Sequence, residues 1–295
     1  MSQLKKRLLT RLFSYFGHCS DATRLRWGRC LGRLAPLLLR PRTHVVRTNL
    51  KLCFPQLSDS ERELLLKRHF HLLAQSVIDR GLLWFAPAER VLQRISIDGL
   101  EHIQTLLDAK QPIILLAPHF IGLDAAATRL TLFLKESATL YTPQNDPDVD
   151  ALVKNGRGRF NTVHLISRRE GIRGLIRHLR QGIPVYYLPD MDFGRKGSVF
   201  LPFFGVPAAT LLTTAQIAQS RKAAVVPIFS QLNEKTGHYH VSVQAPLEHF
   251  PGDNLEDATL RINQLIEKHI RPDIAQYYWV HRRFKTRPRG EPKLY

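Results

Sequence analysis

The stretch Pro112-Ile113-Ile114-Leu115-Leu116-Ala117-Pro118-His119-Phe120-Ile121-Gly122-Leu123-Asp124 decides how this chain is read. Its first half is a short apolar run with the length and β-branched content of a strand buried on both faces. Pro118 ends the run, and a histidine leaves its C-terminal end. Working residues of parallel sheets gather beyond that end of the strands, so His119 is the first catalytic candidate. Asp124 follows five positions later. A histidine oriented by a carboxylate can take a proton from a hydroxyl so that the oxygen attacks a carbonyl. On a straight helix, positions five apart diverge by about 140°. The pair therefore needs a turn between its members, and Gly122 makes one easy. The spacing fits equally well a loop histidine followed by an acid that complements a helix N-terminus.

Outward from this point the pattern alternates. Strands are expected at 95–97, 113–117, 138–141, 163–166, 184–188, 224–229 and 239–243, and helices at 100–109, 124–135, 148–158, 170–181, 208–220 and 255–270. Strands alternating with helices of this length predict an α/β fold with a mostly parallel central sheet flanked by helices. Residues 20–52 read as one or two basic helices, and Ser58 to Glu61 opens a further helix with capping-box chemistry. The expected organisation is a basic helical, membrane-associating portion at 1–94 packed on an α/β catalytic domain at 95–295.

Charge is concentrated at the ends. The net charge is +18 over 295 residues, but residues 1–52 hold twelve Lys/Arg against the single acid Asp21, and residues 282–295 hold six against Glu291. Basic ends on a near-neutral body point to an anionic partner. Residues 4–16 repeat Leu4, Leu8, Leu9, Leu12, Phe13 and Phe16 at helical spacing, with Arg7, Thr10, Arg11 and Ser14 opposite. That is the pattern of a helix lying in an anionic membrane surface, with Lys5 snorkelling. No apolar run is long enough to predict a conventional spanning helix. The cysteines, Cys19, Cys30 and Cys53, have no metal-ligand spacing and read as free thiols. Nucleic acid is disfavoured as a partner, because no zinc spacing, ribonucleoprotein aromatic motif or recognition helix accompanies the charge.

A second constellation runs from Pro189 to Thr210. Asp190 and Asp192 make a poor metal site without a third ligand, and Asp190 is better read as orienting an arginine. Arg195, Lys196 and the loop amides are candidates for an anionic substrate group. Phe200, Phe203 and Phe204 are candidates for the wall of an apolar channel, or else simply core. Between the two constellations lie Arg157, Arg159, Arg168 and Arg169, read either as phosphate contacts or as solvated helix ends.

With these residues in place the chain resembles the lipid A biosynthesis acyltransferases, the late acyltransferases of Gram-negative bacteria. The resemblance runs from Arg47-Thr48-Asn49-Leu50 and Cys53-Phe54-Pro55 through the His119-x4-Asp124 box and Gly156-Arg157-Gly158-Arg159. It continues over Pro189-Asp190-x-Asp192-Phe193-Gly194 and Ser198-Val199-Phe200-x-Pro202-Phe203-Phe204-Gly205 to Trp279-Val280-His281-Arg282-Arg283-Phe284. The His-x4-Asp box is shared with glycerolipid acyltransferases generally, whereas the 189–210 loop and the C-terminal run are specific. The resemblance implies acyl transfer from an acyl-carrier-protein thioester to a hydroxyl of a lipid A precursor, at the cytoplasmic face of the inner membrane. Anchoring there is either peripheral or N-terminal. It implies His119 as the base, Asp124 as its partner, Arg157 or Arg159 as a reaction-centre or phosphate contact, Asp190 as a nearby acid, and no metal or other cofactor. Many relatives carry Glu at the position of Asp124. A thioester is already activated, so an enzyme need only position and deprotonate the acceptor and stabilise an oxyanion. No Gly-x-Ser-x-Gly elbow is present. A lysophospholipid or an aminolipid remains the alternative acceptor at this stage.

Overall fold

The computed structural model describes residues 3–167 and 170–295, with side chains from Arg7 onward. Arg168 and Arg169 lie outside the described residues. The N-terminal helices are α1 (Gln3–His18), α2 (Asp21–Leu38), α3 (Arg40–Cys53), α4 (Asp59–Phe85) and α5 (Ala88–Arg94). The chain then runs β1 (Ile95–Asp98), α6 (Leu100–Asp108), β2 (Ile113–Leu116), α7 (Leu123–Thr131), β3 (Glu136–Tyr141), α8 (Pro147–Arg157), β4 (Thr162–Ser167), α9 (Gly171–Arg180) and β5 (Val185–Tyr187). It continues with β6 (Ser198–Phe203), β7 (Val206–Leu211), α10 (Thr213–Arg221), β8 (Ala224–Leu232), β9 (Tyr239–Val243) and α11 (Leu255–Ile270).

A seven-stranded sheet has the order β1-β9-β8-β2-β5-β3-β4. Its pairings are parallel except that between β8 and β9. All seven expected strands are its members. β2 is buried along its whole length, and its successive residues feed opposite faces, as a strand requires. Ile114 and Leu116 pack with Leu175 and Ile266 on one side. Ile113 and Leu115 pack with Ile103 and Leu130 on the other. The N-terminal helices share this core, since Val46, Leu50 and Phe70 belong to the first cluster and Leu72 and Leu83 to the second.

One expected helix is overturned. Residues 208–220 divide into the end of β7 and the helix α10, and β6 and β7 form a separate antiparallel hairpin. Alanine-rich Pro207-Ala208-Ala209-Thr210 looks helical, but Ala208 and Ala209 pair with Leu201 and Phe200 and are fully buried. Tertiary pairing overrides propensity here. The hairpin turn is Phe204-Gly205, both at positive φ. A two-residue turn of that hand is normally announced by Asn-Gly or Asp-Gly, and a phenylalanine in the first place conceals it.

Two contacts hold α4 where the site needs it. α4 begins with the expected capping box, Ser58 and Glu61 satisfying each other's backbone amides. In its middle, Asp79 is buried and accepts from Arg24 of α2 at 3.0 Å, from Gln75 at 2.9 Å and from Tyr239 of β9 at 2.9 Å. Near its end Trp84 covers Gly156 of α8, where a Cβ would stand 2.4 Å from the indole Cγ. This close approach sets α8 and therefore its last residue, Arg157. Gly156→Ala is expected to destabilise the fold by about 1–3 kcal/mol through overpacking. Urea unfolding of the variant beside the parent checks it, and unchanged stability would show that α8 is free to move.

Candidate active site

His119 is held by its backbone before its side chain is considered. Ala117 N–H donates to Tyr187 O of β5 at 2.9 Å, Ile121 N–H to Gln276 O at 2.7 Å, and Tyr278 N–H to His119 O at 2.8 Å. Phe120 and Tyr277 form an antiparallel bridge. The loop after β2 is thus clamped between the neighbouring strand and the segment that follows α11.

Asp190 leaves the end of β5, the strand paired with β2 through Leu116 and Tyr187. It takes three hydrogen bonds. The His119 amide donates to its Oδ2 at 2.9 Å, the His119 ring meets its Oδ1 through Nδ1 at 2.7 Å, and the Tyr277 hydroxyl donates to Oδ2 at 2.8 Å. Burial alone would raise this carboxyl, but His119 and the hydrogen bonds outweigh it and hold it down at about 2. An ionised Asp190 requires the proton on Nδ1 of His119, which leaves the Nε2 lone pair for chemistry. The His119 side chain is 15% exposed, enough to meet a substrate. Asp190 was expected to orient an arginine. It orients the histidine.

Asp124 does not take that part. It stands in the first turn of α7, with its carboxylate turned to two arginines. Arg80 of α4 reaches Oδ2 through Nε at 3.2 Å and Nη2 at 3.1 Å, and Arg157 reaches Oδ1 through Nη2 at 3.1 Å. Burial would again raise the acid, but the two guanidiniums hold it at about 2. The physical reason is the helical geometry of α7, together with the stronger claim of Asp190 on Nδ1. Gly122 is needed for room: a Cβ there would meet Ser230 Oγ at 2.8 Å, while its φ of −82° is one that any residue adopts.

The other candidates separate. Arg157 is at the site and lies over the Tyr141 ring at 5.7 Å. Arg159 is not; it donates to the Leu83 and Ala86 carbonyls and lies over Phe160 at 4.1 Å, so it closes the C-terminal end of α4. Asp192 accepts from the Gly194 amide and from the Thr286 amide and hydroxyl, tying the loop to the C-terminal run. Arg195 donates to Arg287 O, and Lys196 is exposed. The expected channel aromatics are placed differently. Phe203 is fully buried between Tyr277, Phe284 and Phe204, and Phe204 packs on Phe54 and Trp279. Phe200 lies beneath Arg195. Phe203 and Phe204 belong to the core beneath the hairpin, whereas Phe200 is partly buried on the other face of β6.

Two depressions meet at His119, and a third opens off one of them. An open cleft of about 710 Å³ has His119, Asp124, Arg80, Arg157 and Tyr278 on its walls, a size that accepts a large ligand. An apolar cavity shares Leu123, Asp124, Leu140, Arg157 and Leu188 with the cleft and continues past Thr128 to Leu130, Leu134, Ser137 and Val163. A smaller groove passes His119 on the side of Thr142, His281 and Lys285. His281 accepts from the Asp192 amide through Nε2 at 3.0 Å. Burial first, and then the nearby His119, press its pKa down to about 4, so it stays neutral there.

Sequence reasoning missed Arg80, Tyr277, Tyr278 and His281. Arg80 sits inside a long helix beside Asp79, with no local spacing to mark it. Tyr277 and Tyr278 precede the run that begins at Trp279, and His281 lies within it without a site role assigned; this far end of the chain comes back to the β2 loop.

His119, oriented by Asp190, faces the open cleft, and a small apolar pocket of about 80 Å³ borders that cleft through Asp124 and Arg157. The chain belongs to the bacterial lipid A biosynthesis acyltransferase family, whose model matches residues 19–286, and it is an acyltransferase. It is 34% identical to the lipid A biosynthesis lauroyltransferase of Escherichia coli K12, over 92% of this chain and 88% of that protein. It is 36% identical to a lipid A biosynthesis acyltransferase of Haemophilus influenzae, over 86% and 81%. To the Escherichia coli K12 lipid A biosynthesis myristoyltransferase it is 31% identical, over 90% and 82%.

The two neighbouring arginines give a direct contrast. Arg159→Gln should lower stability by about 1–2 kcal/mol, as expected for lost charge-assisted hydrogen bonds, and leave turnover within about twofold of the parent. Arg157→Gln should do the reverse, keeping stability while cutting kcat by about 100-fold or more. Steady-state kinetics beside thermal melts read both; equal turnover losses in the two variants would remove Arg157 from the site.

Proposed function

We propose that this protein transfers a fatty acyl chain from an acyl-carrier-protein thioester to a hydroxyl of a lipid A precursor, a late acylation at the cytoplasmic face of the inner membrane. The observation that carries this reading is His119, oriented by Asp190 and facing an open cleft of about 710 Å³ whose wall also holds Asp124 and Arg157. No helix among the described residues is long and apolar enough to cross a membrane, and association through the basic N-terminal helices fits that.

His119 Nε2 takes the proton of the acceptor hydroxyl as its oxygen bonds to the thioester carbonyl carbon. Charge moves to the carbonyl oxygen, and the Asp190 carboxylate balances the imidazolium. The carbon–sulfur bond then breaks, and the leaving sulfur receives the proton from Nε2. Ester and free thiol result, with the base restored. Two guanidiniums around the single Asp124 carboxylate leave one positive charge uncompensated beside His119. Arg157 or Arg80 can spend it on the oxyanion or on a phosphate of the acceptor. Asp124 holds those guanidiniums in place, which is a different part from orienting the base. The smaller groove past His281 and Lys285 suits the polar arm of the thioester, and the acyl chain lies along the cleft with its end in the apolar pocket of about 80 Å³. Identities to lauroyl, palmitoleoyl and myristoyl relatives span only 31–34%, so the chain length accepted is a property of the cavity end, where Ser137 and Leu134 stand.

His119→Ala is expected to fold and to lose more than about 100-fold in turnover. Asp190→Asn should lose about as much by forcing the wrong tautomer. Mass spectrometry of the lipid after incubation with acyl-carrier-protein donors provides the assay; a folded His119→Ala variant with near-parental turnover would sink the mechanism. Ser137→Leu fills the end of the cavity and should shift donor preference about two to four methylenes shorter. An unshifted preference would move the acyl site elsewhere.

A further inference from the structure

α2 carries an apolar stripe that the fold leaves uncovered. Trp27, Leu31, Leu34 and Leu38 recur at helical spacing along one face and are 46%, 38%, 45% and 74% exposed. Leu37 beside them is 67% exposed. α1 adds Leu8, Leu12 and Tyr15 at the same spacing, all about half exposed. Phe16 brings the two helices together, with its ring 6.2 Å from that of Trp27. Soluble surfaces rarely expose contiguous apolar area of this kind without a partner.

Charge says which partner. Arg7, Arg11, Arg26 and Arg33 each stand one position before an exposed residue of the stripe, namely Leu8, Leu12, Trp27 and Leu34. On each helix the arginines are therefore rotated about 100° from the stripe, where a long side chain can reach a headgroup while its neighbour enters the acyl layer. The only acid of α2, Asp21, is occupied by Arg24 and Arg90. The other edge of the stripe is a wall of the catalytic cleft. Leu31, Ala35, Leu38 and Leu39 line the same cleft as His119.

We infer that the cleft opens sideways into an anionic bilayer. α2 lies along the interface with Leu34, Leu37 and Leu38 among the acyl chains, and the acceptor's own chains pass over that edge to His119 without crossing water. This rests on the acyl-transfer reading for what passes through the cleft, but the placement of the ledge can be measured without any turnover. Trp27 is the exposed member of the three tryptophans, since Trp84 and Trp279 are 8% and 1% exposed, so it reports on the ledge.

The test adds the full chain to vesicles of phosphatidylcholine and phosphatidylglycerol with brominated acyl chains. Tryptophan emission should be quenched, and Trp27→Phe should remove the quenching while leaving the protein on the vesicles. Leu34→Glu/Leu37→Glu should lower partition onto vesicles roughly tenfold or more yet keep activity on a detergent-dispersed acceptor. Unquenched emission from vesicle-bound parent, or partition unchanged in the double variant, overturns the ledge. So does a parent that is dimeric without vesicles and becomes monomeric in the double variant, because a second copy would then cover the stripe. Parental protein that is quenched as expected but inactive on every acceptor would leave the ledge standing and fail the acyl-transfer reading instead.

Discussion

A carboxylate sealed from water must find donors or take up a proton, and Asp190 finds three. Two come from His119, one from its backbone and one from its ring, so the acid fixes both where the histidine sits and which nitrogen faces the cleft. The third comes from Tyr277, far along the chain. Much of the molecule can be seen as the framework for this arrangement. β2 and β5 are neighbours in register, so their ends stand side by side. The segment after α11 bridges back to Phe120, and Gln276 joins that segment to both the β2 loop and the end of β8 through Leu232. Asn49 of α3 donates to the carbonyls of Trp279 and His281, so even the N-terminal helices brace the segment that holds His119.

Around the histidine the electrostatics are divided between two acids, Asp190 buried and Asp124 partly exposed, that have different partners. Asp190 matches one acid to one base. Asp124 is outnumbered by Arg80 and Arg157, which come from α4 and α8 and leave the cleft cationic. The division is geometric. An acid in the first turn of α7 looks toward the helices on its own side of the sheet, whereas an acid at the end of the adjacent strand looks along the strand ends toward the histidine.

The sheet was legible in the sequence because its strands are short apolar runs separated by amphipathic helices, and His119 was legible because it ends one of them. The β6–β7 hairpin was not, since its alanines imitate a helix and its turn begins with Phe204. Spacing placed Asp124 and Arg157 at the site but not their bonding, which depends on where α4 and α8 are laid. Arg159, two residues from Arg157, points the other way to the end of α4, and nothing local distinguishes the two. The aromatic loop at 200–204 read as a channel because aromatic side chains mark cores and ligand walls alike. The cavity that joins the cleft is lined largely by aliphatic residues and small hydroxyls of α7, β3 and β4, which carry no motif.

The Arg24–Asp79 pair bears on more than stability. Peeling α2 away from α4 would take the Arg24 guanidinium from the buried Asp79 and leave only Gln75 and Tyr239 to satisfy it, and breaking a buried pair of this kind is strongly destabilising. α2 therefore cannot behave as a tether that lets the body drift above a surface. It works as a keel bolted to the hull. The position of His119 relative to α2 is therefore set by the fold, and any surface on which α2 rests stands at a fixed distance from the histidine.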